Sequence, residues 1–226
     1  MSLTLYLHPL ASFCHKVLIA LYENDVAFTP KIVDFADRGS AALHLDRWPV
    51  GKIPVLHDAA RDRTVPETSI IIEYLDRHYR GPVPMLPDDA EAALDARLWD
   101  RFFDLYVHQP MQRIVLDRLR PDGAKDPTSV AEARAALDTA YAMIDHRLEG
   151  RQWVAGDAFT IAECAATPAL FYASIVHPYG TETRNLDAYF ERLLARPSAK
   201  RTLKEARPYF DMFPYREAMP ERFLHD

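Results

Sequence analysis

Three prolines within six residues divide this chain. Pro82, Pro84 and Pro87 follow Gly81, and no helix interior or central strand accepts proline at that density, because each one fixes φ and removes a main-chain donor. Residues 81–89 therefore read as a linker, and the stretches on either side differ in period. Strand-like and helix-like patterns alternate over residues 1–80, whereas residues 90–226 are helical almost throughout. A chain of 226 residues holds one large domain or two small ones. The change of period favours two, an α/β unit followed by an all-α unit.

In the first unit, Leu3, Leu5 and Leu7 alternate with Thr4, Tyr6 and His8, a period of two that predicts a strand. Pro9 ends it. Val17, Leu18, Leu21 and Tyr22 then fall at helical spacing, with Ser12 as N-cap or first-turn residue. That helix should fade at Asn24-Asp25. Phe28 to Val33 predicts a second strand, and residues 36–48 fit either a loop or a short helix. In Gly51-Lys52-Ile53-Pro54-Val55-Leu56-His57 a proline enters an apolar strand, so it belongs at the strand start or at a bend. X-Pro bonds adopt cis in a small minority of cases. A cis Ile53-Pro54 bond would leave the Ile53 main chain free to pair with something extended. Arg61 to Val65 returns as a fourth strand, and Glu67-Thr68 opens the apolar helix Ile70-Ile71-Ile72-Glu73-Tyr74-Leu75. This order predicts a sheet with helix crossovers, a generic ligand-binding module.

In the second unit, Leu94, Leu98, Phe102 and Leu105 recur at fours and threes, and Pro110 should kink or end that helix. Val130, Ala133, Leu137, Tyr141, Ile144 and Leu148 mark a second helix, stopped by Gly150. Thr160-Ile161-Ala162-Glu163 is a capping box with Phe159 as its apolar neighbour. Ile161, Ala165 and Ala169 predict a closely packed helix behind it. Leu186, Tyr189, Phe190 and Leu193 predict another, ended before Pro197.

Composition narrows the function classes. Apolar residues make up 49%, which excludes global disorder. A net charge of −6 with no long Lys/Arg run argues against nucleic acid as the main partner. The longest mostly apolar run, Cys164 to Val176, is about 13 residues against the roughly 20 a membrane span needs, so no membrane partner is expected. Met-Ser-Leu-Thr lacks a basic region, an apolar stretch and a cleavage site, so no secretory signal is expected. Two cysteines far apart in the chain suit a reducing compartment, and the expected location is cytoplasmic. The seven glycines are spaced so that neither G-x-G-x-x-G nor G-x-x-x-x-G-K can occur. G-x-S-x-G, H-E-x-x-H and C-x-x-C are missing too, and no metal site is expected.

Four segments carry a family resemblance: Leu5-Tyr6-Leu7-His8-Pro9-Leu10-Ala11-Ser12-Phe13-Cys14-His15-Lys16-Val17, Gly51 to Leu56, Pro66-Glu67-Thr68-Ser69 running on to Leu75, and the capping box after Gly156-Asp157. In this order, over nearly the whole chain, the sequence resembles the cytosolic glutathione S-transferases, most nearly the bacterial-type members with a Ser or Cys at the site. The resemblance implies a thioredoxin-like N-terminal domain, a C-terminal helical domain, a homodimer, and glutathione as co-substrate for detoxifying conjugation to a small electrophile. It also implies site roles. Thr68, at a helix start, would offer its N–H and hydroxyl to the γ-glutamyl carboxylate, and Glu67 would pair with the ammonium. Ile53, before Pro54, would exchange main-chain hydrogen bonds with the cysteinyl part, and Lys52 would meet the glycyl carboxylate. The family's usual Ser or Cys position falls here on Ala11, so Ser12, its neighbour, is the candidate thiolate donor. Tyr6 is one position early for the tyrosine-type classes. Phe103, Tyr106, Val107 and Tyr172 are the candidate walls of the electrophile pocket. Cys14 and Cys164 read as packing. A non-catalytic binding or regulatory protein, and a glutathione-dependent isomerase or dehalogenase, remain the alternatives. The isomerase signature Ser-Ser-Cys does not match Ala11-Ser12-Phe13.

Overall fold

The alternation at Leu3, Leu5 and Leu7 gives the first strand, β1 (Leu3–Leu7), in a computed structural model that describes residues 2–225. All three leucines are buried, and Tyr6 is buried on the opposite face, as expected for a strand covered on both sides. The first helix, α1 (Ser12–Glu23), has Ala11 at its N-cap with no side-chain cap, so Ser12 is the first helical residue. Cys14 to Leu21 are all buried, because α1 lies between the sheet and the helices of the second unit. A helix buried all round is expected to be apolar, and His15 and Lys16 are the exceptions on α1.

β2 (Thr29–Ile32) runs parallel to β1, with Leu5 opposite Pro30, and its residues are exposed at the sheet edge where a proline is tolerated. Residues 36–48 contain a helix, α2 (Arg38–Arg47), capped by Asp37, whose Oδ1 accepts from Ser40 N–H at 2.6 Å. β3 (Val55–Asp58) is antiparallel to β1, and β4 (Arg63–Pro66) is antiparallel to β3. The sheet order is β2-β1-β3-β4. With α3 (Thr68–His78) after β4, this is the mixed four-stranded sheet of a thioredoxin-like domain. The Ile53-Pro54 bond is cis. The hairpin is fixed to α3 by buried Asp58, which accepts from Tyr74 Oη at 2.7 Å and Tyr79 Oη at 2.6 Å.

The proline-rich segment passes close to the end of α1. A Cβ on Gly81 would come within 2.6 Å of the Asn24 carbonyl oxygen, so only glycine fits there. Val83 N–H then donates to Asn24 Oδ1 (2.9 Å), and Met85 N–H to Asp76 Oδ1 (2.9 Å).

The second unit is helical. α4 (Ala90–Phe102) passes through a π-helical turn, Phe103–His108, directly into α5 (Gln109–Arg118). Pro110 therefore does not end the helix, and the departure from α-helical hydrogen bonding falls in the turn just before it. The wider turn just before it accommodates the missing donor and the bulk of the ring. α6 (Pro127–Arg147), α7 (Ile161–Val176), α8 (Arg184–Ala195) and α9 (Pro197–Ala206) follow. α7 is buried almost end to end and packs on α1 and α4, which joins the two units through one continuous core. Its start is the capping box: Thr160 Oγ1 accepts from Ala162 N–H (3.2 Å), and Thr160 N–H donates to Glu163 Oε2 (2.8 Å). On α4 the predicted apolar stripe is split. Phe102 is buried, but Leu94 and Leu98 are each 60% exposed, and the buried face is Ala93, Ala96, Trp99 and Asp100. α9, which is not among the predicted elements, starts at Pro197, two residues past the end of α8.

Candidate active site

The starts of α1 and α3, the loop before β3 and the end of α4 with the π-helical turn after it converge on one cavity of about 890 Å³, within the usual size of a small-molecule site. Ser12, Lys52, Ile53, Pro54, Glu67 and Thr68 all line it. Each is placed by a local feature. His44 on α2 donates Nε2–H to the Lys52 carbonyl (2.9 Å), which holds the loop. Gly51 turns there with φ of +69°, a conformation that favours glycine. Glu67 is the N-cap of α3 at φ +67°, and its side chain makes no cap. A non-glycine residue in that region costs on the order of 1–3 kcal/mol, and such strain gathers at functional sites. The first N–H groups of α3, at Thr68 and Ser69, are thereby presented to the cavity without a side-chain cap, next to the positive end of the helix dipole.

Ser12 Oγ lies 2.5 Å from Nε2 of His108, the last residue of the π-helical turn. His108 is buried and stacks on Phe13, with ring centroids 3.8 Å apart. Burial, with the Lys16 charge nearby and repulsion from His15 wherever both rings would be protonated, holds its imidazole down at about 3, so it is neutral across the physiological range. The loop before α1 is held in turn. His15, neutral because burial depresses it to about 4, donates Nε2–H to the Pro9 carbonyl at 2.6 Å. Tyr172 Oη donates to the Leu10 carbonyl at 2.7 Å.

One wall of the cavity, at Ser69, Asp100, Arg101 and Asp104, belongs to a buried charge cluster centred on Lys16. Lys16, one turn after Ser12, places Nζ 2.6 Å from Asp100 Oδ1, 2.8 Å from Asp104 Oδ2 and 3.1 Å from Ser69 Oγ. Ser69 Oγ donates to Asp100 Oδ2 at 2.6 Å, and half-exposed Arg101 pairs with Asp104 from the cavity side. Burial raises the Asp104 carboxyl against the pull of Lys16. The cluster ties α1, α3 and α4 together where the two units meet.

The candidate electrophile walls are placed elsewhere. Phe103 and Val107 are fully buried and Tyr172 is 2% exposed, all in the core, and Tyr106 is 57% exposed; none of the four borders the cavity. The reason is that α7 packs against α4 and the π-helical turn, while Tyr172 is occupied in holding Leu10. The apolar part of the cavity comes from Phe13, Phe35, Trp48, Val50 and Leu105. Cys14 is fully buried, its thiol pushed up to about 12 by burial, and Cys164 is buried as well. No signal in the sequence marked His108, Lys16, Asp100 or Asp104. Charged residues on a helix usually face water, and helical spacing alone cannot tell which face another helix will cover.

Two family models match the chain: "Glutathione S-transferase, N-terminal domain" over residues 5–83 and "Glutathione S-transferase, C-terminal domain" over residues 102–197. The chain is 23% identical over 191 residues to glutathione S-transferase GstB of Escherichia coli, covering 83% of this chain and 91% of that one. It is 27% identical over 219 residues to FtsZ-localized protein A of Caulobacter vibrioides, covering 91% and 92%. Among solved structures, a glutathione S-transferase of Methylobacterium radiotolerans in complex with glutathione sulfonate superimposes with a TM-score of 0.75, at 28% identity over 88% of this chain and 93% of that one.

Proposed function

Because the chain belongs to the glutathione S-transferase family, we propose that its cavity binds glutathione and that the protein conjugates the bound thiolate to small electrophiles. The single observation that supports this most is the convergence of Ser12, Ile53 and the uncapped start of α3 on one cavity. The γ-glutamyl carboxylate sits against the Thr68 N–H and hydroxyl, where the helix dipole favours an anion. Glu67 takes the ammonium and Lys52 the glycyl carboxylate. The Ile53 main chain pairs with the cysteinyl amides as an added strand does.

So held, the thiol points at the start of α1. A free thiol ionises near pH 8.5, and the Ser12 hydroxyl together with the helix N-terminus favours the thiolate. The thiol proton leaves to solvent. The sulfur attacks an electrophilic carbon, the C–S bond forms, and the leaving group departs with its electron pair. Phe13, Phe35, Trp48 and Leu105 offer that carbon an apolar wall. Further support comes from the glutathione sulfonate bound to the Methylobacterium structure.

The exposed Ile70 on α3, with Leu94 and Leu98 on α4, supports a homodimer through this face; the two helices are already joined there by the Glu73–Arg97 pair. Two buried free thiols fit a cytoplasmic setting. Among the described residues no helix is long and apolar enough to cross a membrane.

A second reading is a binding protein without conjugating activity. It is favoured by Ala11 at the family's usual Ser or Cys position and by a relative named for its localisation to FtsZ rather than for catalysis. Turnover of a generic aryl halide with glutathione separates the two. Activity that falls in Ser12→Ala supports conjugation at this site, and glutathione binding without turnover supports the second reading.

A further inference from the structure

His108 lies in the core, 1% exposed, and does not border the cavity; Ser12 does. With its Nε2 2.5 Å from Ser12 Oγ, this imidazole reaches a bound ligand only through the serine hydroxyl. The contact allows three proton arrangements. In the first, the hydroxyl donates to a bare Nε2 and has no proton left for a ligand. In the second, Nε2–H donates to Oγ and the hydroxyl proton is free. The third, an imidazolium, is opposed first by burial, then by the Lys16 charge and by repulsion from a protonated His15, both on α1. His108 therefore does not collect the thiol proton.

A bound thiolate decides between the first two. An anionic acceptor makes a hydrogen bond roughly twice as strong as a neutral imidazole nitrogen does, so the hydroxyl proton turns to the sulfur and the ring proton moves to Nε2. We infer that His108 is a positioning residue for the thiolate: with its proton on Nε2 it donates to Ser12 Oγ and aims the Ser12 hydroxyl at the glutathione sulfur. The inference rests on the cavity being the glutathione site. The stack on Phe13, 7° from parallel, fixes the ring plane, and the π-helical turn sets the residue's height against α1. The Ser12 oxygen then accepts one hydrogen bond and donates another, an arrangement that strengthens both.

The test uses the full chain with Ser12→Ala, His108→Phe, His108→Gln and the double variant Ser12→Ala/His108→Phe. The ultraviolet absorbance of the bound thiolate is followed against pH, and kcat and the glutathione KM are measured with an aryl halide. His108→Phe keeps a ring on Phe13 but has no donor. It should raise the apparent pKa of bound glutathione by about one unit, a tenfold loss of thiolate at fixed pH. Ser12→Ala should do the same, the double variant no more, and the glutathione KM should change less than threefold. His108→Gln, which keeps an N–H donor, should recover most of the loss. A thiol pKa unmoved by His108→Phe while Ser12→Ala shifts it overturns the inference. Nitrogen-15 shifts of the wild-type ring under saturating glutathione decide the matter without any variant: a proton on Nε2 is expected, and a proton on Nδ1 alone contradicts it. Calorimetry with S-methylglutathione keeps the two readings apart. Absence of binding by wild type removes the glutathione site and the inference with it, whereas wild-type affinity in a variant whose thiol titrates normally removes only the role of His108.

Discussion

Replacing Lys16 by methionine keeps most of the side chain's volume and removes one charge from a place where two carboxylates depend on it. Asp100 and Asp104 are 2% and 3% exposed, and breaking a buried pair from one side typically costs about 3–5 kcal/mol because the remaining charge is left uncompensated. Arg101 also pairs with Asp104 and keeps part of the compensation, so the lower end, about 3 kcal/mol, is expected, although its side chain is 51% exposed and solvent screening stops it from replacing Lys16 in full. For a chain of this length that lowers the melting temperature by roughly 6–12 °C. The deficit should depend on pH. The folded-state pKa of Asp104 is raised by burial, and losing Lys16 raises it further. A raised value means the folded state holds the proton more tightly than the unfolded chain does, so the contribution is present at low pH and lost as pH rises through the folded-state value. Lys16→Met should therefore be closest to wild type in acid and furthest from it near neutrality. Urea unfolding at several pH values measures this, and adding Asp104→Asn to Lys16→Met should return part of the loss. A melting shift under 2 °C, or one deficit at every pH, would mean that Lys16 does not hold these carboxylates in the folded state.

Three further outcomes are expected. Thr68→Ala and Glu67→Ala should each raise the glutathione KM about tenfold or more, since charge-assisted contacts contribute roughly 1.5–3 kcal/mol; steady-state kinetics at varied glutathione checks this, and an unchanged KM in both contradicts the carboxylate and ammonium seats. Glu163 is pushed up to about 7 by burial, despite donors from Thr160, Val154 and Tyr189, against 4.5 ordinarily. Its contribution is full below the lower value and lost as pH rises through about 7, on the order of 3 kcal/mol, so unfolding free energies of Glu163→Gln should lack this slope, and a retained slope counts against it. Ala11→Ser gives α1 the N-cap oxygen it lacks and should add about 1 kcal/mol, visible as a small rise in melting temperature; a fall would mean that the cap geometry is occupied.

The readable part of this fold was the part fixed locally. Period two at Leu3-Leu5-Leu7, a proline entering a strand, a capping box and a run of linker prolines each act through their own backbone, and each element stands where that chemistry puts it. Residues 36–48 stayed open because Arg38–Arg47 is mostly exposed and weakly patterned. Of the residues around the candidate cavity, those at helix starts and in a loop, Ser12, Ile53, Glu67 and Thr68, could be picked out along the chain, and those brought there by packing between units could not. His108 reaches Ser12 across 96 positions, and Lys16 reaches Asp104 across 88. Residues 103, 106 and 172 fall outside the cavity lining for the same reason: which face α7 covers is decided in three dimensions, not by spacing along one helix.

Calorimetric titration with glutathione in buffers of different ionisation heat, at a pH below 7, reads the binding and the ionisation at once. Glutathione should bind and release close to one proton, while S-methylglutathione, which has no thiol to lose, should bind and release almost none. Equal proton release by the two ligands would contradict a thiolate held at the start of α1, and the lack of any heat with either would contradict the site itself.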